Sequence, residues 1–323
     1  MSIVNLLGAM PGACAQGLIW GIMAIGVFIT FKVLDLADLT VDGTMATGGA
    51  VCVLMMINGA PVWAALLAAF VAGMLAGFVT GIFHTVMGIP AILAGILTQL
   101  GLYSVNLRIL GGANLAISVD KYPLLISLRF INKTLLITAA VILVLIILLY
   151  WFFGTELGSG IRATGSNEKM ASAQGINVNF NKVLGLMISN GIVAFASALY
   201  AQYQGFADVN AGRGAIVIGL AAVIIGEVIF GKLFRTFYLR LAGVALGAVI
   251  YYMVLQVVLW LGLNANDLKL LSALVVAIFL AAPHLLAKMQ LKRAYTEGDT
   301  EASLGNDAGH KNMNAVVAEG GND

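Results

Sequence analysis

The sequence predicts an all-α polytopic membrane protein of about nine transmembrane helices, arranged as two inverted repeats with interrupted helices. Three observations carry this prediction. Hydrophobic residues make up 61% of the chain and charged residues 10%, where a soluble domain carries about a quarter charged residues. Several runs of roughly 18 or more mostly apolar residues can cross a bilayer as helices, and they are too long and continuous for barrel strands. A short acidic sequence occurs twice, as Ala37-Asp38-Leu39-Thr40-Val41-Asp42-Gly43 and as Ala207-Asp208-Val209-Asn210-Ala211-Gly212. Each copy follows a Gly-containing apolar helix and precedes a short span rich in Gly and Ala. An odd number of predicted spans separates the copies, which gives them opposite membrane polarity.

In chain order the predicted spans are residues 11–31, 43–57, 62–83, 90–106, 134–153, 183–201, 214–230, 237–261 and 268–286. The second, fourth and seventh are near or below the usual ~20-residue length. Lys288, Lys292 and Arg293 follow the last span and assign the C-terminus to the cytoplasm. Counting back puts Lys232, Arg235 and Arg240, residues 154–182, His84 and Lys32 on the same side, and the N-terminus outside. Segment 107–133 falls outside although it carries Arg108, Lys121, Arg129 and Lys133 against Asp120. The first cation is Lys32, after the first apolar run, so no cleaved signal peptide is expected. Residues 1–294 form the membrane domain. Residues 295–323 are polar and Gly-rich and are expected to be a disordered cytoplasmic tail.

Net charge is +2, which does not suggest nucleic acid as a partner. Cys14 and Cys52 lie in apolar helices as small packing residues, and His84, His284 and His310 are scattered, so no metal site is expected. Catalytic constellations are missing, and no G-x-x-x-x-G-K-[ST] loop occurs. The chain therefore holds no ATP-binding element and needs no cofactor of its own.

The 38 glycines include Gly73-Met74-Leu75-Ala76-Gly77 and Gly243-Val244-Ala245-Leu246-Gly247. Small-x-x-x-small spacing lets helix backbones approach closely, either at a subunit or pore-lining interface or within one subunit. Asp35, Asp38 and Asp42 interrupt an apolar stretch. Carboxylates near a membrane face protein or water, and here they fit a hydrated helix break in which Asp42 caps the helix that follows. A cation pathway is the alternative. Glu227 is expected to pair with Lys232 or Arg235. Asp38, Asp42, Thr44, Gln99, Asn190, Asp208 and Asn210 are the candidates for lining a translocation path, with interhelical hydrogen bonding as the competing role.

Residues 158–177, GSGIRATGSNEKMASAQGIN, form a polar, Gly-broken island between two long apolar runs. Its core, 167–174, can form about two helical turns. Such a lever lets an external motor push on the flanking spans. The candidate docking residues are Arg162, Asn167, Glu168, Lys169, Met170 and Gln174.

Residues 17–49, with an apolar helix running into the Val33-Leu34-Asp35-Leu36-Ala37-Asp38 break, resemble the opening of ABC importer permeases of the branched-chain amino acid and ribose permease class. Residues 157–163 and 167–177 resemble the cytoplasmic coupling loop of that class. The likeness spans residues 12–286 and is nearest to the subgroup labelled as a tryptophan/tyrosine transport component. The acidic Asp35/Asp38/Asp42 set departs from branched-chain members, whose break is less charged, and points away from a branched-chain substrate. The resemblance implies a second permease copy, a cytoplasmic ABC ATPase carrying ATP and Mg, and an extracytoplasmic binding protein delivering a small polar solute, with an aromatic amino acid suggested by the subgroup. It also implies a multi-pass protein of the cell membrane. An ion-coupled secondary transporter using Asp35, Asp38 or Glu227 is the competing reading, and a channel or scaffold subunit is a third.

Overall fold

The structure is a computed structural model that describes residues 3–261 apart from 120, 232 and 235, together with residues 270, 273, 274, 276–278 and 281. The chain divides into a compact unit, Met1–Val276, and a second unit, Ala277–Asp323. The described residues of the second unit, Ala277, Ile278 and Ala281, are helical. The predicted ninth span for the most part, and the tail, Lys288, Lys292 and Arg293 entirely, lie outside the described residues.

Among the described residues the first unit is mainly helical: α1 (Ile3–Phe28, continued by a π-turn at Ile29–Val33), α2 (Thr40–Ile57), α3 (Val62–Thr85), α4 (Ala91–Leu110), α5 (Ile131–Phe153), α6 (Glu156–Ser166), α7 (Glu168–Ala173), α8 (Val178–Gln204), α9 (Ala215–Phe230) and α10 (Phe237–Trp260). Two three-residue strands, β1 (Asn114–Ala116) and β2 (Phe206–Asp208), pair antiparallel with Leu115 opposite Ala207. Seven helices are long and apolar enough to cross a membrane, and α9 is a shorter apolar helix. The expected count of about nine is not confirmed among the described residues: α9 has 16 residues, below a span's usual length, and the ninth predicted span lies for the most part outside them. The outward faces of α5 and α3, with Leu136, Leu143, Trp151, Leu67 and Leu75 exposed, suit lipid rather than water.

The inverted repeat is written in the packing. α3 packs on α8 as α10 packs on α1, α2 packs on α8 as α9 packs on α1, and α2 meets α3 as α9 meets α10. α1 and α8 run antiparallel, with Gly26 against Ser189 and Val193 near one end and the Tyr203 hydroxyl reaching Gly12 O at the other. The echoed acidic segments also fold alike. The Thr40 N–H donates to Asp38 Oδ1 at 2.9 Å, and the Asn210 N–H donates to Asp208 Oδ1 at 2.7 Å. Both are Asx turns, the first at the start of α2 and the second in the turn that precedes α9.

The Gly-x-x-x-Gly pairs serve this internal packing. A Cβ at Gly73 would fall on the Asn190 carbonyl oxygen of α8, and one at Gly247 would meet Gly226 of α9. Contact within one subunit is thus observed.

Candidate functional site

α1 ends in a π-turn, where Leu34 N–H donates to Ile29 O. Asp35 then takes φ 56°, a left-handed conformation that Asp tolerates better than most side chains. The chain turns through Leu36 and Ala37 and delivers Asp38 to the interior. Asp38 Oδ2 accepts from Asn190 Nδ2 at 2.6 Å, and Asn190 Oδ1 accepts from Thr44 Oγ1 at 2.7 Å. Asn190 Nδ2 also donates to Leu186 O. Asp38 is 2% exposed, and Thr44 and Asn190 are fully buried. Beside this knot, the Thr80 hydroxyl joins those of Thr40 and Thr98 at 2.7 and 2.9 Å. Three of the predicted pathway residues thus meet in a buried hydrogen-bond network that joins the break after α1 to α2 and α8.

The structure corrects the expected role of Asp42. α2 already begins at Thr40, so Asp42 sits in its first turn. Its carboxylate accepts from Gly214 N at 3.0 Å and Ile216 N at 2.9 Å. It caps α9, the equivalent helix of the other repeat, rather than its own. Free N–H groups at a helix start carry positive partial charge and favour a carboxylate. The Asp42→Ala variant is expected to lose about 1–2 kcal/mol of stability, with Asp42→Asn intermediate. Thermal unfolding of the purified protein checks this, and an unchanged midpoint in Asp42→Ala would show that the cap contributes nothing.

Gln99 is half-buried on α4, and its Cα lies close against Gly43. Asp208 is half-buried and Asn210 exposed, at the opposite end of α8 from α6 and α7. They do not join the Asp38–Asn190 knot. Glu227 pairs with Lys32 at 2.7 Å, brought across from the end of α1; its expected partners Lys232 and Arg235 lie outside the described residues.

The segment read as a Gly-broken loop is two helices. Thr155 caps α6 by accepting from Gly158 N, and Asn167 caps α7 by accepting from Met170 N at 3.0 Å. Gly158, Ile161 and Thr164 form the buried face of α6. Side chains at Gly158 and Gly165 would fall on the backbone of Phe152 and of Val33, so these glycines let α6 lie directly against the ends of α5 and α1. Asn181 Nδ2 donates to Thr164 Oγ1 at 3.2 Å and ties α6 to α8.

The docking candidates divide by geometry. Arg162 lies 5.6 Å over the Phe237 ring. Glu168 pairs at 2.6 Å with Lys182, which is 8% exposed. Asn167, Lys169, Met170 and Gln174 face out, with Met170 at 62%. Lys182 and Asn181 were not anticipated. A lone cation followed by an apolar run at a helix start was the available signal for Lys182.

α8 separates two ends of the molecule. α6 and α7 sit at its N-terminal end. Segment 107–133 sits at the other, where β1 joins β2 and Leu128 N–H donates to Tyr203 O. The two segments therefore lie at opposite ends of the bundle, despite the basic residues of 107–133.

Comparison with known proteins agrees with this architecture. Residues 10–282 match the family described as branched-chain amino acid transport system / permease component. A tyrosine transport system permease protein of Clostridioides difficile (strain R20291) is 39% identical over 84% of this chain and 90% of its own length. An uncharacterised protein of Rickettsia prowazekii (strain Madrid E) is 34% identical over 84% of this chain and 96% of its own length. A fructose import permease protein of Bifidobacterium longum (strain NCC 2705) is 30% identical over 80% of this chain and 74% of its own length.

Proposed function

The chain belongs to the family of branched-chain amino acid transport permease components, and on that premise we propose that α6 and α7 are the surface through which a separate ATPase drives it. The chain is the multi-pass permease subunit of an ABC importer for small solutes; it provides the membrane path and is not itself the catalyst. ATP and Mg belong to the partner ATPase. A binding protein outside the membrane delivers the solute, and a second permease copy completes the path. α6, α7 and the C-terminus face the cytoplasm of the cell membrane. The solute is a small polar molecule, an aromatic amino acid by likeness to the tyrosine permease.

The observation that carries this reading is the build of α6 and α7. α6 is fixed to α1, α5 and α8 through Val33, Phe152 and Asn181, and α7 follows it directly and is held to α8 by the Glu168–Lys182 pair, while Lys169, Met170 and Gln174 point away from the bundle. A short rigid element packed on three spans transmits a push to all of them, and alternating access needs only different contacts in two states. The ion-coupled alternative is weakened because Asp38 and Glu227 are both engaged by internal partners.

The Lys169→Glu/Met170→Asp variant tests this docking surface. Both residues are exposed, so stability is expected to stay within about 0.5 kcal/mol of wild type. Co-purification with the cognate ATPase and ATP-driven uptake are expected to fall at least about tenfold, a loss of roughly 1.4 kcal/mol of contact. Wild-type assembly and uptake in this variant would refute docking through α7. Concentrative uptake by vesicles holding this chain alone would refute the importer reading.

A further inference from the structure

At the end of α8 remote from α6 and α7, the helices line an open cavity of about 520 Å³. Its lining includes Gln16 and Trp20 of α1, Tyr200 of α8, Arg213 and Val217 at the start of α9, and Tyr252 of α10. The volume lies in the range of small-molecule sites. The Trp20 ring meets Tyr200 edge-on with centroids 5.6 Å apart and lies 5.8 Å from Tyr252. Trp20 is 5% exposed, and its Nε1–H is covered by the protein and out of reach of the cavity, so the ring contributes an apolar edge. Arg213 is exposed, lies over the Tyr103 ring, and pairs with no carboxylate among the described residues.

We propose that this cavity is a solute subsite of the permease chain itself, selecting a planar aromatic solute that carries a carboxylate. The Trp20, Tyr200 and Tyr252 rings form the apolar wall against its plane, and Arg213 meets its carboxylate at the mouth. Aromatic faces take flat rings in offset or edge-on geometry, and an arginine fork matches a carboxylate. The inference rests on the importer reading for its directionality. It adds that selectivity does not reside wholly in the binding protein.

The test is equilibrium binding of radiolabelled L-tyrosine, L-tryptophan and L-leucine to the full-length chain in lipid nanodiscs, with and without the ATPase and without any binding protein. Saturable binding of the two aromatic amino acids is expected, with leucine at least about tenfold weaker. Tyr200→Ala removes one aromatic wall and is expected to weaken tyrosine binding about tenfold. Val217→Trp fills the cavity from a partly exposed position and is expected to abolish binding, which decides the matter if Tyr200→Ala fails to fold. Arg213→Gln is expected to erase the preference for L-tyrosine over tyramine, which lacks the carboxylate. No saturable binding by wild type, leucine binding as tightly as tyrosine, or wild-type affinity in the Val217→Trp variant would overturn the proposal. Binding needs no ATP hydrolysis, so absent ATP-driven uptake would sink the importer reading while leaving these results to judge the subsite.

Discussion

Replacing Asn190 with leucine is expected to lower the thermal midpoint of the purified protein by roughly 10 °C, a loss of about 3 kcal/mol. Asn190 is the one side chain that holds both Asp38 and Thr44. Leucine has a similar volume, so the cost comes not from a cavity but from orphaned polar groups. Asp38 would retain the Thr40 N–H and hydroxyl and lose the Asn190 amide, leaving a carboxylate that is 2% exposed with no cation against it among the described residues. A buried charge stripped of its partner costs far more than the pair contributed. The Asp38→Leu/Asn190→Leu double variant removes both ends and is expected to be less destabilised than the sum of the single variants, by about 1–3 kcal/mol. Strict additivity would mean that the two side chains act independently. The same knot joins the break after α1 to the middle of α8, and so ties the two repeats together at their crossing.

Much of this arrangement was legible in the sequence where lipid dictates the answer. Predicted spans 11–31, 62–83 and 183–201 fall within the observed spans Gly8–Val33, Val62–Thr85 and Val178–Gln204, because a bilayer demands long apolar runs with internally paired backbones. The helix break was marked by Asp35 and Asp38, and the repeat by Ala207-Asp208. Partners distant in sequence were not legible. Asn190 is 152 residues from Asp38, and nothing local distinguishes a carboxylate that caps its own helix from one that caps another, as Asp42 does. α6 was hidden by its glycines. Gly158, Gly160 and Gly165 look like helix breakers by propensity, yet two of them are the positions where α6 lies against the backbones of α5 and α1. Propensity yields there to close packing. Met170 stood out as exposed only once α7 had been placed, since an isolated methionine reads equally well as core.

Gly77→Leu is expected to have the largest effect of any single change in the bundle: loss of monodisperse, folded protein on purification from the membrane. Gly73, Gly77 and Gly81 fall four residues apart on one face of α3 and lie against Asn190, Leu186 and Val183 of α8. A Cβ at Gly77 would land on the Leu186 carbonyl oxygen, which is backbone and cannot rotate away. Alanine there forces the helices apart locally, at about 1–3 kcal/mol. Leucine adds further carbons at a point with no space, and α3 must leave α8. In lipid, apolar surface released from such a contact gains no hydrophobic return, since association depends on close packing itself. Displacement would also carry Thr80 away from Thr40 and bare the Asn190 knot. Gly101 supplies the control. It is an exposed helical glycine on α4, and a Cβ there meets nothing within 4 Å. Gly101→Leu is expected to leave yield and midpoint unchanged or slightly raised, through better helix propensity. If Gly77→Leu and Gly101→Leu behaved alike, glycine's contribution to α3 would be backbone freedom, and the close approach of α3 to α8 would not be what holds the repeats together.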